Sequence, residues 1–195
     1  MPPPRSLKRS TRVLAQGKQD ATPATESPLS ILKVCSLVLV AVIVQTTIAP
    51  YLTVLGARPD AALVVVVSLA LLLGPVWGAF IGFAMGLLID IALMQTMGIS
   101  SFLFTLAGYF GGRLADRVDA SSWMWPLTAV FVATLVVQTA NALIMFLLGV
   151  EASAWFVMLR VVLPAALLNA LLASPVFAIC RWWLKIDQRQ NVFTV

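Results

Sequence analysis

The chain has 195 residues, of which 61% are hydrophobic and only 11% charged, and its mean hydropathy is +0.97. Soluble domains are about half apolar and about a quarter charged, so this composition describes an integral membrane protein and leaves no room for a soluble catalytic domain. Histidine is absent, which excludes imidazole bases, His–metal sites and nucleophile–His pairs, and the two cysteines, Cys35 and Cys180, lie in separate apolar stretches with no CxxC pair. They read as free buried thiols; no metal, cofactor or redox role is expected.

The first 29 residues are polar, with Pro2, Pro3 and Pro4 followed by Arg5, Lys8, Arg9, Arg12 and Lys18. They read as a disordered basic cytoplasmic tail. Residues 5–16 fit either a solvated orientation signal, the plainer reading, or a short basic amphipathic helix on anionic lipid. A cleaved signal peptide does not fit, because the first apolar run starts late and leads into further apolar segments.

Six apolar stretches follow, at about 30–50, 61–73, 76–94, 99–113, 125–149 and 157–183. A bilayer-spanning helix needs ~20 residues, which the first, third, fifth and sixth supply. The second and fourth are short, so they tilt little, extend into flanking loops, or sit inside the bundle. Pro59 and Asp60 suit the start of the second helix, as a first-turn proline and an acid at the positive helix end. Gly74-Pro75 separates the second helix from the third. The expected fold is all-α: a six-helix transmembrane bundle over 30–185, then a short cytoplasmic tail at 186–195.

Orientation follows from the basic residues. With the N-terminus inside, the inner side holds Arg5, Lys8, Arg9, Arg12, Lys18, Lys33, Arg113, Arg117, Arg181, Lys185 and Arg189, and the outer side only Arg58 and Arg160. This asymmetry places both termini in the cytoplasm. It also accounts for the net charge of +5 as membrane topology, not nucleic-acid binding. The outer loops, near 51–60, 95–98 and 150–156, are too short for a ligand-binding domain. Trp123, Trp125, Trp182 and Trp183 fall at inner ends and Trp155 at an outer end, as interfacial tryptophans do.

Within the third segment Gly78, Gly82, Gly86 and Asp90 recur every four residues. On a helix that spacing makes one bare stripe ending in a carboxyl group. The stripe permits close helix approach, either within the chain or to a partner. Gly108, Gly111 and Gly112 give the fourth helix a matching small-residue face. Asp90 is the one acid deep in a segment, where facing lipid would cost at least ~2.5 kcal/mol. Its expected partners are Arg160, Arg58 or Gln45 at similar depth; the alternative is a protonated carboxyl bonded to a backbone or amide group. Gln138 and Asn141 share a face of the fifth helix with Thr134, and Asn169 lies at comparable depth on the sixth. These groups read as interhelical hydrogen bonds or, more sharply, as the lining of a polar-ligand pocket. Pro164 and Pro175 kink the sixth helix or mark its ends.

The run from Gly56 to Gly112 resembles the MreD family of rod shape-determining membrane proteins. The matching elements are Arg58-Pro59-Asp60 before a Leu/Val-rich helix, Gly74-Pro75-Val76-Trp77-Gly78, then Gly82-Phe83-Ala84-Met85-Gly86-Leu87-Leu88-Ile89-Asp90, Gly98, Gly108-Tyr109 and Arg113. The resemblance implies a non-enzymatic scaffold of the bacterial cytoplasmic membrane that supports lateral peptidoglycan synthesis and rod shape. Its implied partners are MreC, the actin-like MreB, the glycosyltransferase RodA and its penicillin-binding transpeptidase, with membrane lipid around them. It also implies a fold like the substrate-binding subunits of ECF-type vitamin transporters, which leaves small-molecule uptake as the alternative function. Those subunits often carry an AxxxA docking stripe on the first helix; residues 33–48 here do not.

Overall fold

A computed structural model of the chain describes residues 28–47, 51, 58–94, 96, 98–115, 124–149 and 158–184. The basic tail before residue 28, Arg117, Trp123, Glu151, Trp155 and the residues after 184 lie outside the described set, as do residues 52–57, 95, 97 and 150–156 of the outer loops expected from the sequence. The described residues form six α-helices: α1 Pro28–Thr47, α2 Ala61–Leu73, α3 Pro75–Ala92, α4 Ile99–Ala115, α5 Met124–Leu147 and α6 Leu163–Leu184. A π-helical turn, Met158–Val162, leads into α6. No strand occurs among the described residues.

The shortest helix is the centre of the bundle. α2 has 13 residues and touches all five others. Every residue from Ala62 to Ala70 is buried, which explains its sequence: a helix enclosed on all sides is apolar all round, without a polar stripe. At 1.5 Å per residue it is only about 20 Å long, so it fits inside the bundle as one of the sequence alternatives required.

α2 ends and α3 begins at a single residue. Gly74 has φ +88°, a left-handed conformation that glycine adopts without a side-chain clash. Its N–H donates to the Ala70 carbonyl at 2.9 Å, and its own carbonyl accepts from Gly78 N–H at 2.9 Å. Pro75 follows at the first turn of α3, where a missing N–H costs no hydrogen bond. Pro164 stands at the start of α6, just after the π-turn, and Pro175 lies inside it.

α3, α5 and the run Met158–Leu184 are each long and apolar enough to cross a bilayer. The outer surface of the bundle is correspondingly oily: Leu39, Phe80, Phe110, Val136 and Leu171 are all exposed. A surface of this kind suits lipid or other proteins, not water.

Candidate functional site

The sequence stripe on α3 faces α4. A Cβ added at Gly78 would strike the Gly108 carbonyl, one at Gly82 the Phe104 carbonyl, and one at Gly86 the Ser101 backbone. In the reverse direction, a Cβ at Gly108 would strike the Gly78 carbonyl, and one at Gly112 would come within 2.5 Å of the Gly74 and Pro75 backbone. The two helices therefore touch backbone to backbone from Pro75 and Gly112 to Gly86 and Ser101, and this pair is the most extensive helix contact in the bundle. Between helices in lipid there is no hydrophobic drive, so close dispersion contact of this kind carries the association. Gly111 differs: its added Cβ would meet Val67 and Ala70 side chains at ordinary distances of 3.6 and 3.7 Å.

Asp90 closes the seam. It is fully buried, and its Oδ2 accepts from the Gly98 N–H at 2.8 Å and from the Ser101 hydroxyl at 3.5 Å. Its Oδ1 has no hydrogen-bond partner. The expected tie to Arg160, Arg58 or Gln45 is thus replaced by donors at the entry to α4. The physical reason is local: the first N–H groups of a helix lack intrahelical partners, and the turn after α3 brings one of them back to the carboxyl. Gly98, with φ +99°, makes that turn. Ser101 was not singled out in the sequence.

A second polar cluster serves the N-terminus of α2. Asp60 caps the helix: its Oδ1 accepts from Leu63 N–H at 3.0 Å. The Asp60 N–H donates to Asn169 Oδ1 of α6 at 2.8 Å, and Asn169 Nδ2 donates to Thr134 Oγ1 of α5 at 3.3 Å. The Thr134 hydroxyl in turn donates to the Val130 carbonyl at 2.8 Å. From α1, Gln45 accepts from Ala62 N–H at 3.4 Å. Two surrounding helices, α1 and α6, thereby bond donors at the start of the buried central helix, and Thr134 of α5 holds the Asn169 amide in place. Burial pushes the Asp60 carboxyl up to about 6, against the opposing pull of the Leu63 N–H. Pro59 is buried beside it, while Arg58 is exposed.

The remaining polar residues divide. Asn169 spends both ends of its amide in this cluster. Gln138 and Asn141, expected alongside it, are half-buried and form no hydrogen bond with any described residue. Arg160 is exposed in the π-turn. Cys35 is exposed on α1, a correction to its expected burial, and Cys180 is buried on α6; both are free thiols. Among the described residues no three His, Cys, Asp or Glu side chains converge on a metal-sized space.

One surface feature had no sequence signal beyond large apolar side chains. A groove of about 320 Å³ runs between α1 and α3, with Val34, Val38 and Leu39 on one wall and Trp77, Phe80 and Ala84 on the other. It is lined almost wholly by carbon.

No curated protein and no solved structure matches the chain. The family model for the rod shape-determining protein MreD matches residues 26–186. That span takes in the glycine seam, the Asp90 clasp and the capped central helix together, and with it the chain belongs to the MreD family of rod shape-determining membrane proteins.

Proposed function

We propose that this chain is a multi-pass scaffold of the bacterial cytoplasmic membrane, with six spans and both termini inside, which assembles the cell-elongation machinery through MreC and the peptidoglycan synthases. The family match over residues 26–186 carries this reading. The geometry supports it in kind. Each buried polar cluster is spent on holding helices together, and the accessible surface is apolar and grooved, as a helix-docking surface requires.

The seam between α3 and α4 fixes the frame, and the Arg58-Pro59-Asp60 turn and Asp90 set its outer end, where wall synthesis takes place. The groove between α1 and α3 is the proposed seat of the MreC transmembrane helix, whose apolar side chains would fill it. The work of such a protein is to place partners, not to transform a substrate, so no catalytic residue is assigned. RodA, its transpeptidase and MreB would join through MreC or through the basic inner ends of the helices.

Depletion in the native host with measurement of cell width tests the function. Widening or rounding in rich medium is expected; rods of normal width that stall only when a vitamin is scarce would overturn the scaffold reading in favour of uptake. Replacing Ala84 by Phe tests the groove. Co-purification of MreC should fall while the chain itself still folds; undiminished MreC would place the contact elsewhere.

A further inference from the structure

α3 and α4 each turn one stripe of side chains outward. Val76, Phe83 and Leu87 of α3 are exposed at helical spacing. On α4 Phe102, Tyr109 and Arg113 are exposed in the same way, with Thr105 half-buried between them. The glycine seam brings the two backbones into contact, so the large side chains on this face stand to either side of it. Near the start of α4 they enclose a pocket of about 450 Å³ that joins the two stripes. Phe83 and Leu87 form one wall and Phe102 and Thr105 the other, above Gly98 and Ser101.

The other end of the α4 stripe is a cation held in place. Arg113 Nη1 donates to the Tyr109 hydroxyl at 3.0 Å, and the Tyr109 ring meets Phe110 edge-on at 5.5 Å. The guanidinium keeps further N–H donors to spare, and it forms no ion pair with a described residue. From Arg113 to Thr105 and to Phe102 is about 12 and about 16 Å along the helix. A hydrocarbon half-thickness is about 15 Å. Charge and pocket are therefore as far apart as a lipid headgroup and the end of its tail.

We propose that this face of α3 and α4 binds an anionic phospholipid, with its phosphate on Arg113 and one acyl chain laid along the stripe into the pocket. Charge complementarity selects that occupant. A phosphate takes two N–H donors from one guanidinium, and a headgroup of net negative charge adds to the attraction. The ammonium of a zwitterionic headgroup opposes it. The carbon walls suit the chain, which fills a crevice that would otherwise forfeit dispersion contact. A protein helix would need an acid of its own at the level of Arg113. The pocket shares no residue with the groove between α1 and α3, so a partner helix seated there leaves it open. The site needs the membrane placement of α3 and α4, with the end of α4 at the inner face as proposed above, but not a part in cell elongation.

Native mass spectrometry of the full-length chain in detergent, with equal amounts of phosphatidylglycerol and phosphatidylethanolamine of matched chains, tests it. Phosphatidylglycerol should be retained at least about fivefold more, and Arg113→Gln should bring the ratio close to one. Tyr109→Phe releases the guanidinium and should lower the ratio part of the way. Lys33→Gln removes a cation from the inner end of α1 and should leave the ratio in place. Leu87→Trp puts an indole into the pocket and should cut retention of both lipids. Arg113→Gln and Leu87→Trp should unfold at the wild-type temperature in lipid-free detergent, since both side chains stand on the outer face. Equal retention of the two lipids by the wild-type chain would overturn the proposal. A ratio unmoved by Arg113→Gln, or moved as far by Lys33→Gln, would give the preference to overall charge and overturn it equally. Retention untouched by Leu87→Trp would show that no chain enters the pocket, with the same consequence.

Discussion

The main-chain N–H of Asp60 donates to the side-chain Oδ1 of Asn169, 109 residues away, at 2.8 Å. This single bond joins the last helix to the residue that caps the central one, and it continues through Asn169 Nδ2 to Thr134 on α5. Asn169 is fully buried, so its loss leaves two groups unpaired in an apolar setting. Asn169→Leu should therefore lower stability by about 1–3 kcal/mol, seen as an earlier thermal transition of the purified chain in detergent. Thr134→Val should cost less, because it strands only one end of the amide. Equal and negligible losses from both would show that the cluster is bonded to something else.

Asp60 also predicts a pH dependence. Burial pushes its carboxyl up from 3.8 to about 6 in the fold, against the opposing pull of the Leu63 N–H. Between those values the folded chain holds a proton that the unfolded chain has released. Its contribution to stability is therefore full below about 3.8 and is lost as pH rises through about 6. Asp60→Asn keeps an oxygen to accept from Leu63 N–H and removes the charge. It should flatten the pH slope in this window and raise stability at pH 8 relative to wild type. A slope identical in the two chains would mean that Asp60 does not carry it.

The sequence made some of these relationships legible and hid others for identifiable reasons. The register of Gly78, Gly82 and Gly86 is a helical period, so the bare face of α3 could be read directly, and the glycines of α4 marked its mate. The central position of α2 showed only as an alternative, because a short apolar run of thirteen residues fits an enclosed helix or a tilted one equally. The Asp60 cap was visible as an acid at a helix start. Its link to Asn169 was not, since nothing local connects positions so far apart. Asp90 was legible in part: a bond to a backbone group stood as the alternative to a tie with Arg160, Arg58 or Gln45, but nothing in the sequence marked the N–H eight residues on, at Gly98, as the donor. The apolar groove between α1 and α3 depends on how two helices splay, which no periodicity encodes.

The glycine seam separates positions that look alike in sequence. At Gly82 an added methyl group meets the Phe104 carbonyl, a backbone atom that cannot swing aside, whereas at Gly111 it meets side chains at 3.6 Å and beyond. Gly82→Ala should push α3 and α4 apart and destabilise the bundle by several times the ~1 kcal/mol scale of ordinary substitutions. Gly111→Ala should be neutral, or stabilise by up to ~1 kcal/mol through lower chain entropy and better helix propensity. Thermal unfolding in one detergent ranks them; comparable losses from both would show that the seam is looser than the backbone contacts imply.

Asp90 poses a sharper question, because its charge and its hydrogen bonds make different predictions. Oδ2 receives the Gly98 N–H and the Ser101 hydroxyl, while Oδ1 meets no partner. Only one acceptor oxygen is in use, and an asparagine supplies one. Asp90→Asn should therefore keep the turn into α4 and lose less than about 1 kcal/mol. Asp90→Leu strands the Gly98 N–H and should cost about 1–3 kcal/mol. Ser101→Ala should have a small effect, in keeping with its longer contact of 3.5 Å. The order Leu, then Asn, then Ala in decreasing loss, measured by unfolding and by hydrogen exchange at Gly98, identifies Asp90 as a helix-entry clasp. An asparagine as damaging as leucine would instead assign the work to the negative charge.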